Sequence, residues 1–402
     1  MNLRVVMAVF VLALVAAGCA GDERPVLTEI TLVEEPPPTD IPIPDPPATP
    51  VPQEEAAAPD PATGDAVAAG ACLTERQWLG QLLMVLATQD QLPAARPHAE
   101  RGELGGITLL GAPDATLPQL IADLDGAGPF PLLMASDEEG GIVQRLAELI
   151  TTLPAAATQT ERPSADVQAQ FADYGRRMKE LGFDVAFAPV VDIGGGPGIG
   201  SRSFSEDPAV VIEYARAVAN GLREAGVIGV FKHFPGHGRA SADSHISLPV
   251  TPSYNDLVAL DLVPYDQLLS DPGASVMVGH LSVPGLSDET PTSLSPNTVT
   301  RLLRGRGGET FQGKSYNFTG LVFTDALNMG AITNTYGTQE AVVRAISAGS
   351  DVAILGQPDD VTPVLDQLTV ALSENRMSWE QVDESVQRVL AAKGVLDATR
   401  CP

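Results

Sequence analysis

The sequence predicts an α/β chain whose folded part is a single (β/α)8 TIM-type barrel, and three observations carry that expectation. Short, apolar, β-rich runs alternate with helical patterns through residues 71–402. Polar side chains recur where those runs end. The stretch is about 330 residues long, more than one ordinary core holds but suited to a closed barrel.

At the start of the chain, Met1-Asn2-Leu3-Arg4 precedes an apolar run over 5–17 and then Gly18-Cys19. The run is too short to span a bilayer, and a positive charge followed by small residues predicts a cleaved export signal over 1–18. Ala16-Ala17-Gly18-Cys19 resembles a lipobox. Cys19 is therefore the expected lipidation site, and the outer face of the cytoplasmic membrane is the expected location. Residues 19–70 are rich in Pro and Ala and hold eleven Asp or Glu against Arg24 alone. This composition favours extended polyproline II and self-repulsion over a packed core, so it reads as a disordered, acidic tether.

The barrel follows. Residues 106–110, 131–136, 185–191, 227–231, 275–279, 320–324 and 352–355 read as buried parallel strands, being short apolar runs without polar alternation. Helical patterns over 167–181, 208–225, 339–348 and 362–373 are interspersed with them. Asp137 follows the second run, Asp192 the third, Lys232 and His233 the fourth, His280 the fifth and Asp325 the sixth. In a (β/α)8 barrel the carboxyl ends of the strands form the active-site face, so polar groups should converge there. A doubly wound open sheet would need a glycine-rich phosphate turn, and Gly194-Gly195-Gly196-Pro197-Gly198 matches that fingerprint poorly.

Cys72 and Cys401 bracket the folded region. An exported protein meets an oxidising environment and a closed barrel brings its ends together, which predicts a disulfide between them. The formal net charge of −27 argues against nucleic acid as a partner, because phosphate binding relies on clustered Lys and Arg.

Only five histidines occur in the chain, and three fall in Lys232-His233-Phe234-Pro235-Gly236-His237-Gly238 and Asp243-Ser244-His245. Such a cluster serves proton transfer, metal ligation or recognition of oxygen-rich ligands. His233 and His237 are spaced for one face of a helix, but Pro235 and Gly236 between them oppose a helix, so no metal and no cofactor is assigned.

With Ser136-Asp137-Glu138-Glu139-Gly140-Gly141 upstream and Phe323-Thr324-Asp325-Ala326-Leu327-Asn328-Met329 downstream, the chain resembles family 3 glycoside hydrolases in their β-N-acetylglucosaminidase branch. The resemblance implies a retaining exo-enzyme that removes terminal β-linked N-acetylglucosamine, commonly from peptidoglycan fragments, through a covalent intermediate. It implies Asp325 as nucleophile and His245 as acid/base, with Asp243 as its partner. Asp137, Arg145, Arg202, Lys232 and His233 match sugar-binding positions, and their acceptors and donors suit pyranose hydroxyls and an acetamido carbonyl. Two positions depart from the pattern: Ala326 stands where a second acid is common, and Ile142 where an arginine is common. Gly238 and residues 240–242 suit a mobile loop closing over substrate.

Other readings remain open at this level. Asp325 could cap a helix, and Arg202 could pair with Glu206 or Asp207. Asp137-Glu138 could serve a mechanism in which the substrate acetamido group is the nucleophile. The chain could transfer the sugar to phosphate, or bind carbohydrate as a lipoprotein without turnover. Oligomeric state is not legible.

Overall fold

The computed structural model describes residues 72–396 and 398–401. The expected signal peptide, Cys19 and the tether lie outside the described residues. Eight strands form the barrel: β1 Leu83–Thr88, β2 Gly106–Leu110, β3 Leu133–Ser136, β4 Val185–Ala186, β5 Ile228–Phe234, β6 Ser275–Val278, β7 Val322–Thr324 and β8 Ala353–Leu355. All their pairings are parallel, in the order β7-β6-β5-β4-β3-β2-β1-β8. A parallel bridge from Phe323 to Val352, with the Ile354 N–H donating to Thr324 Oγ1 at 3.0 Å, draws β7 to β8 and nearly closes the ring.

Alternation along the strands divides the apolar residues into two cores. Leu83 and Val85 of β1 face the surrounding helices, while Met84 and Leu86 enter the barrel with Phe187, Met277, Phe323 and Ile354. Phe187 and Phe323 meet edge to face inside it, with ring centroids 5.4 Å apart. The helix Trp379–Ala392 sends Val389 into the same interior cluster. Lys393 just beyond that helix donates to Gln81, immediately upstream of β1, so the helix meets the amino ends of the strands and leaves the carboxyl ends open.

Two strands differ from the sequence expectation for identifiable reasons. β1 was not among the seven expected runs, because Leu79 to Ala87 is almost continuously apolar and merges the helix Glu75–Gly80 with the strand. β4 is shorter than 185–191, because Pro189 has no N–H for the ladder; Val190 then regains β5 through a bridge to Lys232. Conversely, β5 runs on through Phe234, so Lys232 and His233 lie within the strand rather than after it.

The two ends of the described region meet beside the barrel. Cys72–Leu73 pairs in parallel with Thr399–Arg400, and Cys72 is bonded to Cys401 across a sequence separation of 329 residues. A crosslink between such distant points removes much of the freedom of the unfolded chain. Replacing both cysteines with serine should lower unfolding stability by about 2–5 kcal/mol while leaving activity per folded molecule unchanged. Denaturant titration of the variant beside the parent tests this, and coincident curves would exclude a stabilising bridge.

Candidate active site

A cleft with about 660 Å³ of empty space, its open mouth included, lies over the carboxyl ends of the strands. Leu86, Phe187, Met277 and Ile354 supply its apolar lining, and Asp137, Arg145, Arg202, Lys232, His233, Asp243, His245 and Asp325 its polar one. A pocket of this size with few, convergent polar groups suits one small polar ligand.

Lys232 is buried at the cleft floor, 2 % exposed, and its Nζ lies 2.6 Å from both Asp137 Oδ1 and Glu139 Oε1. Glu139 also accepts from Arg202 Nε at 2.7 Å and Nη2 at 2.8 Å. This bidentate pair replaces the alternative partners Glu206 and Asp207, because the short helical turn Gly200–Arg202 directs the guanidinium back toward the barrel. Arg145 Nη2 lies 3.7 Å from Asp137 Oδ2. Burial pushes the Asp137 and Glu139 carboxyls up, but Lys232 and the nearby guanidinium groups outweigh it and hold both below the usual carboxylate range. Burial likewise opposes the Lys232 ammonium, and the two carboxylates outweigh it and hold its pKa up.

Glu138 has the opposite environment. It accepts from the hydroxyls of Ser136 and Tyr174 at 2.5 Å each and from the Arg145 and Leu146 N–H groups. Burial nevertheless pushes its carboxyl up to about 7. It braces the hairpin Glu138–Gly140 with Val143–Gln144 and, unlike Asp137, does not line the cleft. Ile142 stands at the hairpin tip, 81 % exposed.

Asp192, fully buried, ties the loop after β4 to β5. Its Oδ2 takes the Nδ1–H of His233 at 2.7 Å and its Oδ1 the His237 N–H at 2.6 Å. That bond fixes the His233 tautomer and leaves Nε2 on the side of Arg202 Nη2, 3.4 Å away. His237 reaches Ser244 Oγ through Nε2 at 3.1 Å, and burial lowers its pKa, keeping the ring neutral.

Asp325 follows β7. Its N–H donates to Val278 O, and its Oδ1 accepts the Ala326 N–H at 2.8 Å, leaving Oδ2 without a protein hydrogen bond among the described residues. No helix starts here: the next is Gly330–Thr333, so Asp325 is not a helix cap. Burial pushes the carboxyl up, yet His280, His233, the Ala326 N–H and Lys232 together hold it below its usual value. His280 is itself lowered by burial and donates Nε2–H to Ala326 O while accepting from Ser293.

Across the cleft, His245 Nδ1 lies 2.8 Å from Asp243 Oδ1, which also accepts the His245 N–H at 2.9 Å. Partial burial pushes the Asp243 carboxyl up, and those two contacts outweigh it and hold it below the usual value. The His245 side chain is 67 % exposed. The loop bearing it is bonded to the segment after Asp325 through Gly330 N–H to His245 O and Ala331 N–H to Ser244 O, each 3.1 Å.

The cleft thus collects every catalytic and sugar-binding residue expected from the sequence. Glu139 and the positioning groups Asp192, His237 and His280 received no such role, although Asp192 and His280 already stood out at strand ends. Lys232→Met leaves the buried Glu139 and the half-buried Asp137 carboxylates undercompensated and should cost about 3–5 kcal/mol of stability near neutral pH. With Lys232 present, both carboxyls have depressed pKa values, so they stabilise the fold above the usual carboxylate range and lose that effect as pH falls through the folded values. Without it burial dominates and protonation relieves the strain, so the deficit should shrink below about pH 5. Urea unfolding at both pH values decides it; an equal deficit at each would count against the charge argument.

Residues 75–392 match the family model described as Glycosyl hydrolase family 3 N terminal domain. The beta-hexosaminidase LpqI of Mycobacterium tuberculosis is 43% identical over 333 residues, covering 81% of this chain and 84% of that protein. A crystal structure of a family 3 glycosyl hydrolase from Mycobacterium smegmatis superposes with a TM-score of 0.74 at 44% identity, covering 80% of this chain and 98% of the other. A family 3 β-N-acetylglucosaminidase from Paenibacillus superposes with a TM-score of 0.73 at 30% identity, covering 80% of this chain and 62% of the other. The barrel, its cleft and these similarities agree: the chain belongs to glycosyl hydrolase family 3.

Proposed function

We propose that this chain is a retaining exo-β-N-acetylglucosaminidase that hydrolyses terminal β-linked N-acetylglucosamine, with Asp325 as nucleophile and the His245 and Asp243 dyad as acid/base. The names of its relatives support a β-hexosaminidase activity. The single observation that carries the mechanism is the shared cleft, where a carboxylate held ionised and a histidine tied through Nδ1 to an aspartate accompany a buried, charged binding floor.

In the first step an Asp325 oxygen bonds to the anomeric carbon as the glycosidic C–O bond breaks, and His245 Nε2 delivers a proton to the departing oxygen. Asp243 keeps Nδ1–H engaged, so Nε2 is the working nitrogen, and its charge steadies the imidazolium. In the second step His245 takes a proton from water, which attacks the same carbon and releases Asp325 as carboxylate. Two inversions give net retention. Asp137 accepts from sugar hydroxyls, Arg145, Arg202 and Lys232 donate to hydroxyls or to the acetamido carbonyl, and His233, with its Nδ1–H on Asp192, offers Nε2 as an acceptor.

A fluorinated β-N-acetylglucosamine analogue with a good leaving group should label the peptide bearing Asp325, and the first-formed sugar should be the β anomer. Asp325→Ala should lower kcat at least about 10⁴-fold with the fold intact. Label on Glu138, or an α product, would overturn the assignment. Analysing the same digest with and without phosphate separates hydrolysis from phosphorolysis, and sugar 1-phosphate as the main product would replace water with phosphate in the second step.

The sequence motifs extend the proposal to the cell. Cleavage before Cys19 and its acylation would leave the enzyme exported and anchored to the outer face of the cytoplasmic membrane, facing muropeptide-type peptidoglycan fragments. Cys19→Ser should shift the protein from the membrane fraction to the soluble exported fraction; unchanged fractionation would exclude the lipid anchor.

A further inference from the structure

The exposed His245 has Asp243 as its side-chain partner among the described residues, so its placement depends on the backbone of its loop. That backbone is clamped to the segment that follows Asp325. The Gly330 N–H donates to His245 O, the Ala331 N–H to Ser244 O, and Asn334 Nδ2 to Ile246 O at 3.1 Å. The approach is close because residue 330 has no side chain. A Cβ there would lie 2.4 Å from Ile246 O, 2.7 Å from Ile246 C and 2.8 Å from His245 O, all backbone atoms that cannot swing aside. On the other flank Ser244, 3 % exposed, meets His237 Nε2, and the His237 N–H is fixed by Asp192.

We propose that Gly330 is a positioning residue for the acid/base: it lets the His245 loop dock on the chain leaving Asp325, and so sets the distance between proton donor and nucleophile. The inference rests on the catalytic roles proposed above for Asp325 and His245. The segment from Asp325 to Gly330 is short and pinned, since the Asp325 N–H bonds Val278 O and the Leu327 N–H bonds Ile354 O. A methyl at residue 330 must push the loop outward. A displacement of about 1 Å at the reacting groups costs on the order of 100-fold in rate. The loss should fall on the proton transfers and spare sugar binding.

Gly330→Ala is tested on two N-acetylglucosaminides, one with an alkyl aglycone that needs protonation and one with 2,4-dinitrophenolate, which departs without it. The expected result is a fall in kcat of roughly 10–100-fold on the alkyl glycoside with KM nearly unchanged, and a much smaller fall in kcat/KM for the dinitrophenyl glycoside. Azide attacks the glycosyl-enzyme carbon and displaces Asp325 without needing a base, so it should accelerate dinitrophenyl turnover and yield the β-glycosyl azide. Asn334→Ala, which removes only a side-chain bond to the loop, should show the same pattern more weakly and decides the matter where Gly330→Ala does not fold. Gly337→Ala, at an open position, should behave as the parent. Parent-like Gly330→Ala, or equal losses on both substrates without azide rescue, overturns the inference while the catalytic assignment stands. Should His245→Ala itself lack azide rescue, the acid/base assignment falls and the positioning role falls with it.

Discussion

The ammonium of Lys232, buried between Asp137 and Glu139, is the interaction on which the cleft depends. It joins β5 to the chain leaving β3, and through Glu139 it recruits Arg202 from the loop after β4. Dissecting such a cluster is costly because each charge has already lost its water and has only its neighbours to replace it. Under the proposed function Asp137 and Lys232 of this cluster also serve binding, since a sugar hydroxyl would meet carboxylate and ammonium already fixed in place and would not have to organise them. On that reading structural stability and ligand recognition share the same atoms, and a substitution that damages one damages the other.

The three consecutive acids show how local geometry apportions these roles. Asp137 and Glu139 turn toward Lys232, while Glu138 turns beneath the hairpin to Ser136 and Tyr174. Alternation along an extended chain makes that division inevitable once one of the three faces the barrel. It also explains why neighbouring carboxyls have opposite shifts: Asp137 and Glu139 have cations within reach, whereas Glu138 has only hydroxyl and amide donors against burial.

Much of this was legible in the sequence, because a parallel barrel writes its strands as isolated apolar runs and puts its chemistry where they stop. Asp137, Lys232, His233 and Asp325 were visible for that reason, and His245 because histidine is scarce in the chain. β1 was hidden by the apolar stretch that fuses it to its preceding helix, and the end of β4 by a proline whose missing donor breaks the ladder. The pairing of Arg202 with Glu139 spans 63 positions and follows from ring closure, which no local spacing records. Gly330 was equally silent, because its role is defined by the backbone of residues 245 and 246 lying against it.

The two proposed catalytic groups occupy unlike environments, and the difference follows from what each must do. Asp325 has to remain an anion throughout the approach of substrate, so enclosure beside Lys232 and a backbone N–H suits it. His245 has to gain and lose a proton within each cycle while an aglycone leaves and water enters, so an exposed ring on a loop suits it better than a buried one. Exposure leaves the histidine with little packing to hold it, and the pinning therefore passes to the main chain. Asp243 orients the ring, His237 holds Ser244 between them, and the close contact at Gly330 holds the peptide on either side. A barrel rim can in this way combine a rigid nucleophile with a solvent-facing acid, provided the loop docks on the strand end that carries the nucleophile.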